Sequence, residues 1–176
     1  KTNQLEVVYQ LLIIFRIYLA GFFFIMFCRK IGYTKPYAIA GAIIYSFSIF
    51  ALYSAVMYAA FPNVLIYLPL LLIAIERVFR NQGGSMLMWV IALCMISNFY
   101  FCYMLGIIAV MYCLLRYFCV NYYFLKKQNI EFKERIKDLI QHIGRMILPI
   151  ILGALLSCIV LIPDLKVFVN QGRGAG

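Results

Sequence analysis

The stretch from Asn81 to Leu115 contains thirty-five residues and no formal charge, and it decides which solvent this chain can fold in. Hydrophobic residues make up 66% of the sequence and charged residues only 12%, with a mean hydropathy of +0.95. A soluble fold exposes far more charge than this composition provides. The sequence therefore predicts an integral membrane protein, and its long continuous apolar blocks favour helices over a barrel.

The apolar blocks predict an all-α, polytopic membrane helical bundle, since a bilayer core of about 30 Å needs roughly 20 apolar residues per crossing. The blocks are Val7–Cys28, Tyr37–Phe61, Val64–Phe79, Met86–Leu115 and Met146–Ile162. The fourth block has thirty residues, about 45 Å of helix, which is too long for one crossing. We expect it to form a short hairpin that turns near Ser97 and Asn98. About six transmembrane helices follow, with the fourth and fifth short or partly re-entrant.

The segment before the last apolar block predicts a cytoplasmic connector over residues 126–145 that contains an amphipathic helix. Its apolar stripe is formed at helical spacing by Phe132, Ile136, Leu139, Ile140 and Ile143. We expect this helix to lie flat at the headgroups, with its basic residues facing anionic lipid. His142 is off the stripe and is expected to face solvent or headgroups. A separate last helix is expected to start near Met146 and to emerge near Pro163.

Basic residues fall mostly on one side of the six-crossing arrangement. Twelve of the sixteen Lys and Arg residues lie in the connectors that follow the first, third and fifth helices. Because positively charged connectors stay in the cytoplasm, both ends of the chain are expected to be extracytoplasmic. This placement also explains the net charge of +10 without nucleic acid as a partner. We interpret residues 1–176 as a single transmembrane domain, taken from a longer chain.

The sequence carries none of the motifs of a soluble enzyme. Its six cysteines form no CxxC pair and lack the histidine partners of a metal site. The loop from Gln82 to Ser85 lacks the lysine of a phosphate-binding loop and follows a helix rather than a strand. We therefore predict no metal ligand and identify no cofactor, and this segment gives no support for a divalent metal.

Two polar positions expected near the outer face are the main candidates for function. Arg16 lies near the middle of the first helix, where a charge costs roughly 3 kcal/mol. It either holds an anion such as a phosphate, or snorkels or pairs with a carboxylate. Asn98 is surrounded by aromatic residues, including Tyr100 and Tyr103. It either binds a sugar hydroxyl while the rings stack on the sugar, or caps a helix end inside an aromatic belt.

Several short motifs, taken in order, resemble the YfhO-type bacterial membrane proteins. They are Gly21, Tyr45-Ser46-Phe47-Ser48, Phe61-Pro62, Leu68-Pro69-Leu70-Leu71 leading to Ile75-Glu76, Ser97-Asn98-Phe99-Tyr100-Phe101-Cys102-Tyr103-Met104, Tyr112, and Arg116-Tyr117. The resemblance covers about Phe15 to Tyr117, with weaker similarity as far as Arg173. The motif around Asn98 is its most specific element.

The resemblance implies a GT-C-fold glycosyltransferase of the bacterial plasma membrane. Such an enzyme moves a sugar from a polyprenyl-phosphate-linked donor to an extracytoplasmic cell-envelope glycopolymer such as teichoic acid. Its partners are the lipid bilayer, the lipid-linked donor and the acceptor polymer. The acidic residue that such enzymes use would precede Lys1, so no catalytic residue is assigned. The candidate substrate-binding residues are Arg16, Asn98, Tyr100, Tyr103 and Arg173.

A lipid-linked saccharide flippase or another membrane transporter is the main alternative. Broken helices and an intramembrane arginine also suit a transport path. Inverted repeats would favour this alternative, and the sequence shows none. A structural membrane subunit is a third alternative, which the aromatic residues around Asn98 make less attractive.

Overall fold

The computed structural model describes residues 2–57, 61–116 and 132–173, and every regular element in these ranges is a helix. The helices are α1 (Thr2–Ile31), α2 (Lys35–Ser46), α3 (Ile49–Met57), α4 (Asn63–Phe79), α5 (Ser85–Ser97), α6 (Phe99–Leu115) and α7 (Phe132–Arg173). The predicted all-α class is therefore confirmed. The chain divides into two compact units, Lys1–Glu76 and Arg77–Gly176, and the boundary falls inside α4.

Two stretches in the described part of the chain are long and apolar enough to cross a bilayer. They are Glu6–Ile31 in α1 and Ile140–Pro163 in α7. The apolar helices α5 and α6 are shorter, with 13 and 17 residues. Along α6 only Leu105 is buried, and most of the other large apolar side chains are exposed. An apolar surface of this extent is suited to lipid rather than to water.

The end of α1 is a Schellman motif centred on Gly32. The N–H of Tyr33 donates to the carbonyl of Cys28 over 3.0 Å, and the N–H of Gly32 donates to the carbonyl of Arg29 over 3.2 Å. Gly32 has a φ of 113°, a backbone conformation that glycine adopts without steric cost. Pro36 follows in the first turn of α2, where its missing N–H is not needed.

Small residues allow α1 and α2 to pack closely. Ala42 and Ser46 on α2 are buried, and a Cβ added to Gly21 on α1 would lie 2.7 Å from the Ser46 Oγ. Gly41 makes room for the ring of Phe24, since a Cβ there would lie 3.1 Å from its Cε1. Small residues allow such close contact between membrane helices.

The expected single helix over Tyr37–Phe61 is wrong, because the structure divides this block into α2 and α3 at Phe47 and Ser48. The Phe47 N–H donates to the carbonyl of Ile43 over 3.0 Å and closes α2. The Ser48 Oγ accepts a hydrogen bond from the N–H of Ala51 over 3.3 Å and caps α3. A serine that bonds to nearby backbone in this way offers the chain an alternative to a continuous helix.

Tyr45 provides a hydrogen bond that Pro69 cannot make. Pro69 is fully buried inside α4, and because proline has no N–H, the carbonyl of Leu65 four residues earlier loses its helical donor. The Tyr45 hydroxyl donates to this Leu65 carbonyl over 2.8 Å. The Tyr45 ring also stacks on Phe24, with ring centroids 4.6 Å apart. One side chain thus links α1, α2 and α4 at the proline.

The expected start of a separate last helix near Met146 and its expected end near Pro163 are both wrong. α7 continues without a break from Phe132 to Arg173, with Pro149 and Pro163 inside it. The φ of proline fits a helix, and each proline removes only one backbone hydrogen bond. Packing on α5 supports the helix near the first proline, where Pro149 contacts Gly84.

The segment expected to form an amphipathic helix is helical, but it is the first part of α7 rather than a separate element. Outside the described residues lie positions 126–131 and the side chains of Phe132, Ile136 and Leu139. The expectation that His142 faces solvent or headgroups is wrong, because the side chain is half-buried. Its ring stacks on Phe79 with centroids 5.3 Å apart, because α7 passes beside the end of α4. The placement of this segment at the headgroups stays a prediction.

We expect the substitution Tyr45→Phe to lower the free energy of unfolding by about 1–3 kcal/mol, because it leaves the Leu65 carbonyl without a donor. In a Pro69→Ala background, residue 69 provides the helical N–H, and the same substitution is expected to cost less than about 1 kcal/mol. Denaturant unfolding of the four proteins in detergent micelles measures this double-mutant cycle. Tyr37→Phe, at an exposed tyrosine of α2, is the control. If Tyr45→Phe lowered the free energy of unfolding equally in both backgrounds, the Tyr45 hydroxyl would not be replacing the donor that Pro69 lacks.

Candidate functional site

Asn98 occupies the one-residue break between α5 and α6. Its N–H donates to the carbonyl of Cys94 over 3.0 Å at the end of α5. Its Oδ1 accepts hydrogen bonds from the N–H groups of Tyr100 over 3.0 Å and Phe101 over 3.4 Å at the start of α6. Asn98 therefore closes one helix and caps the next. The predicted helix break at this residue is confirmed, and the capping role belongs to its side-chain oxygen.

The amide nitrogen of Asn98 is not used by this cap. Asn98 is half-buried, and its Nδ2 group donates no hydrogen bond to another group in the described part of the chain. An asparagine side chain has two N–H donors on this nitrogen. Both are therefore available to an acceptor from outside the chain, such as a hydroxyl.

Two exposed tyrosines follow this amide in the first turns of α6. Tyr100 and Tyr103 are each 64% exposed, and their separation of three residues places them on the same side of α6. The Tyr100 ring meets the edge of the Phe101 ring, with centroids 5.6 Å apart. We call the set Asn98, Tyr100 and Tyr103 the Asn98 corner. It combines hydrogen-bond donors with two accessible aromatic faces.

Arg16 lies in α1 within the candidate span Glu6–Ile31, where it is half-buried and interacts with another group of the protein. It belongs to the unit Lys1–Glu76, whereas the Asn98 corner belongs to the unit Arg77–Gly176. Arg173 is the last residue of α7, and its side chain lies outside the described residues. Of the predicted substrate-binding residues, Asn98, Tyr100 and Tyr103 lie in one stretch of chain at the start of α6, and their role stays a prediction.

A groove between α1 and α2 was not anticipated from the sequence. It has a volume of about 390 Å³. Its lining residues are Ile14, Ile17, Tyr18, Gly21, Phe22, Ile25, Ile39, Ala42, Ile43, Ser46 and Phe47. The buried Ser46 Oγ makes no hydrogen bond within the described ranges. The apolar lining is suited to a hydrocarbon chain rather than to a sugar.

Arg16 is not part of this groove, although it lies between two residues that are. Ile14 and Ile17 both line the groove, together with Gly21 one turn further along α1. Ile14, Ile17 and Gly21 are three and four residues apart, so they lie on one face of α1. Arg16 does not share this spacing and lies on a different face. The groove could have been predicted from the helical spacing of small and apolar residues in α1 and α2.

No group of three or more His, Cys, Asp or Glu side chains able to hold a metal ion occurs among the described residues. The cysteines in this part of the chain are free thiols: Cys28, Cys94, Cys102, Cys113 and Cys158. Cys119 lies outside the described residues. No side chains described here are assigned to a metal or a cofactor.

A family model described as "Bacterial membrane protein YfhO" matches residues 1–175, which is nearly the whole chain. The chain belongs to this family. The resemblance inferred from the ordered motifs is confirmed, and the family supports a location in the bacterial membrane. Comparisons with curated proteins and with solved structures found no significant match.

We expect Asn98→Ala to lower the free energy of unfolding by about 1 kcal/mol, because it removes the cap of α6. Asn98→Ser keeps a side-chain oxygen at the cap and is expected to stay within about 0.5 kcal/mol of the parent protein. Unfolding of the three proteins in the same detergent provides the comparison. Equal stability of the alanine and serine variants would rule out a capping contribution.

Proposed function

We propose that the chain is part of a GT-C-type membrane glycosyltransferase. It moves a sugar from a polyprenyl-phosphate-linked donor to an extracytoplasmic cell-envelope glycopolymer of the teichoic-acid kind. The observation that supports the proposal is the Asn98 corner, which has free amide donors and exposed tyrosine rings in the first turns of α6 of a YfhO-family protein.

The chemistry of the Asn98 corner suits a sugar. A pyranose ring has apolar C–H faces and a rim of hydroxyl groups, so it binds where aromatic faces and hydrogen-bond donors are adjacent. Tyr100 and Tyr103 provide the faces, and the Nδ2 group of Asn98 provides donors to a hydroxyl oxygen. Because the Oδ1 of Asn98 is fixed by the helix cap, the orientation of its amide is set before a ligand binds.

Arg16 is proposed to contact the phosphate of the lipid donor. Sugar transfer releases a lipid phosphate, and a nearby guanidinium stabilises the negative charge that develops on the leaving oxygen. A cation inside an apolar span costs about 2.5–3.5 kcal/mol, so such residues are functional candidates by default. Arg173 is a second candidate for the same anion. No residue of this chain is assigned as the general base.

The proposed topology has six crossings, formed by α1, α2 with α3, α4, α5, α6 and α7. α5 has 13 residues, about 20 Å of helix, and is therefore shorter than the bilayer core. The connectors rich in Lys and Arg are placed in the cytoplasm, which puts the Asn98 corner and both ends of the chain outside.

We expect Arg16→Ala and Asn98→Ser to reduce glycosylation of the envelope polymer by about tenfold or more, because each removes a hydrogen bond to the donor or the sugar. Glycosylation is measured on polymer extracted from cells that produce each variant of the full-length protein at equal membrane levels. Tyr100→Ala with Tyr103→Ala is expected to have a similar effect through the loss of stacking.

Matched controls separate these effects from general damage. Arg29→Ala removes an exposed arginine in the last turn of α1, and Tyr33→Ala removes a tyrosine that is 60% exposed in the following turn. Both are expected to leave glycosylation unchanged. Unchanged glycosylation in the Arg16 and Asn98 variants would remove these residues from the proposal. Transport of lipid-linked saccharide without sugar transfer by the purified protein would favour a flippase.

The topology is tested by labelling in intact cells with a membrane-impermeant maleimide. The background protein has its native cysteines, including the six in this chain, replaced by serine. Tyr100→Cys, at the start of α6, is expected to react, whereas Ser85→Cys, at the start of α5, is expected to react only after the cells are opened. The reverse labelling pattern would show that the protein has the opposite orientation, with the Asn98 corner in the cytoplasm.

A further inference from the structure

The turn between α4 and α5 is a second Schellman motif, and it is built on an asparagine. The N–H of Gln82 donates to the carbonyl of Arg77 over 2.8 Å, and the N–H of Asn81 donates to the carbonyl of Val78 over 3.0 Å. Asn81 has a φ of 57°, a left-handed conformation that asparagine tolerates better than most residues with a side chain. The hydrogen-bonded turn thus fixes the position of the Cα atom of Asn81, whose side chain is exposed.

The Asn81 side chain holds an arginine of α7. Its Oδ1 accepts a hydrogen bond from the Nη1 of Arg145. A guanidinium has five N–H donors, and this contact uses one of them. Arg145 is exposed, and its side chain makes no other polar contact within the described ranges. Most of its donors are therefore available to an acceptor from outside the chain.

A second contact fixes the same part of α7. His142 lies three residues before Arg145, on the same side of the helix, and its ring stacks on Phe79 at the end of α4. The ring contact and the Asn81–Arg145 hydrogen bond both join this part of α7 to the end of α4 and the turn that follows. The part of α7 that bears Arg145 is thereby held by two contacts.

Arg145 marks the point at which α7 changes from charged to apolar. An uncharged run begins at Met146, and the candidate span covers Ile140–Pro163. A basic residue at the end of such a run lies at the headgroup layer of a bilayer, on whichever side that end faces. The exposed side chains of Arg80 and Lys137 add positive charge near it in the sequence of α4 and α7.

We propose that the Asn81–Arg145 pair is a binding site for the phosphate of an anionic phospholipid such as phosphatidylglycerol. A guanidinium binds phosphate oxygens through two parallel N–H donors, and such charge-assisted hydrogen bonds are stronger than neutral ones. Because Asn81 already restrains Arg145, binding a lipid costs less side-chain entropy than it would at a freely moving arginine. The site does not depend on the proposed glycosyltransferase activity.

The experiment measures the affinity of the purified protein, in nanodiscs of neutral lipid, for added phosphatidylglycerol. Arg145→Gln is expected to weaken binding about tenfold or more. Asn81→Gly keeps the left-handed turn, removes the acceptor that positions the guanidinium, and is expected to weaken binding by about threefold. Lys137→Gln removes the same charge from an exposed position of α7 and is expected to change affinity less than about twofold.

Two further ligands identify what the site recognises. Phosphatidylcholine has the same phosphodiester with no net negative charge, and inorganic phosphate has no acyl chains. Both are expected to compete poorly with phosphatidylglycerol. If Arg145→Gln and Lys137→Gln lowered the affinity for phosphatidylglycerol equally, binding would be explained by general charge attraction, and the proposal would be overturned. An unchanged affinity in Asn81→Gly, or full competition by inorganic phosphate, would overturn it as well.

Discussion

A peptide group inside a bilayer has no water to bond with, so this chain must provide a hydrogen-bond partner wherever a helix is interrupted. Side-chain oxygens do this at Ser48 and Asn98. At Pro69 the partner comes from another helix, through the Tyr45 hydroxyl. Several polar side chains of a very apolar sequence are therefore found at helix breaks, and the candidate residue Asn98 is one of them.

Two asparagines illustrate how one residue serves both the fold and a ligand. Asn98 uses its oxygen to cap α6 and keeps its amide donors for another group. Asn81 uses its backbone to end α4 and its oxygen to hold Arg145. In both cases the structural contact fixes the direction of the remaining donors. Ligand-binding groups held in this way lose little freedom on binding, which is why helix ends make effective sites.

Small residues control how closely the apolar helices pack. In the first unit, Gly21 and Ser46 let α1 and α2 approach closely, and both residues also line the groove between these helices. In the second unit, Gly153 brings α7 against α5, where a Cβ would lie 2.6 Å from the Met88 carbonyl oxygen. Small residues thus set helix distance in both units. Lipid is a partner of this surface as much as neighbouring helices are.

The sequence by itself determined the solvent, the helical class, the family and the break at Asn98, because composition, run length and local capping are properties of adjacent residues. It did not determine that Ser48 starts a new helix, that Pro149 and Pro163 leave α7 intact, or that His142 stacks on Phe79. The Phe79–His142 contact, like that between Tyr45 and Leu65, joins residues on different helices and has no periodic signature. Only tertiary packing decides which polar group meets which partner.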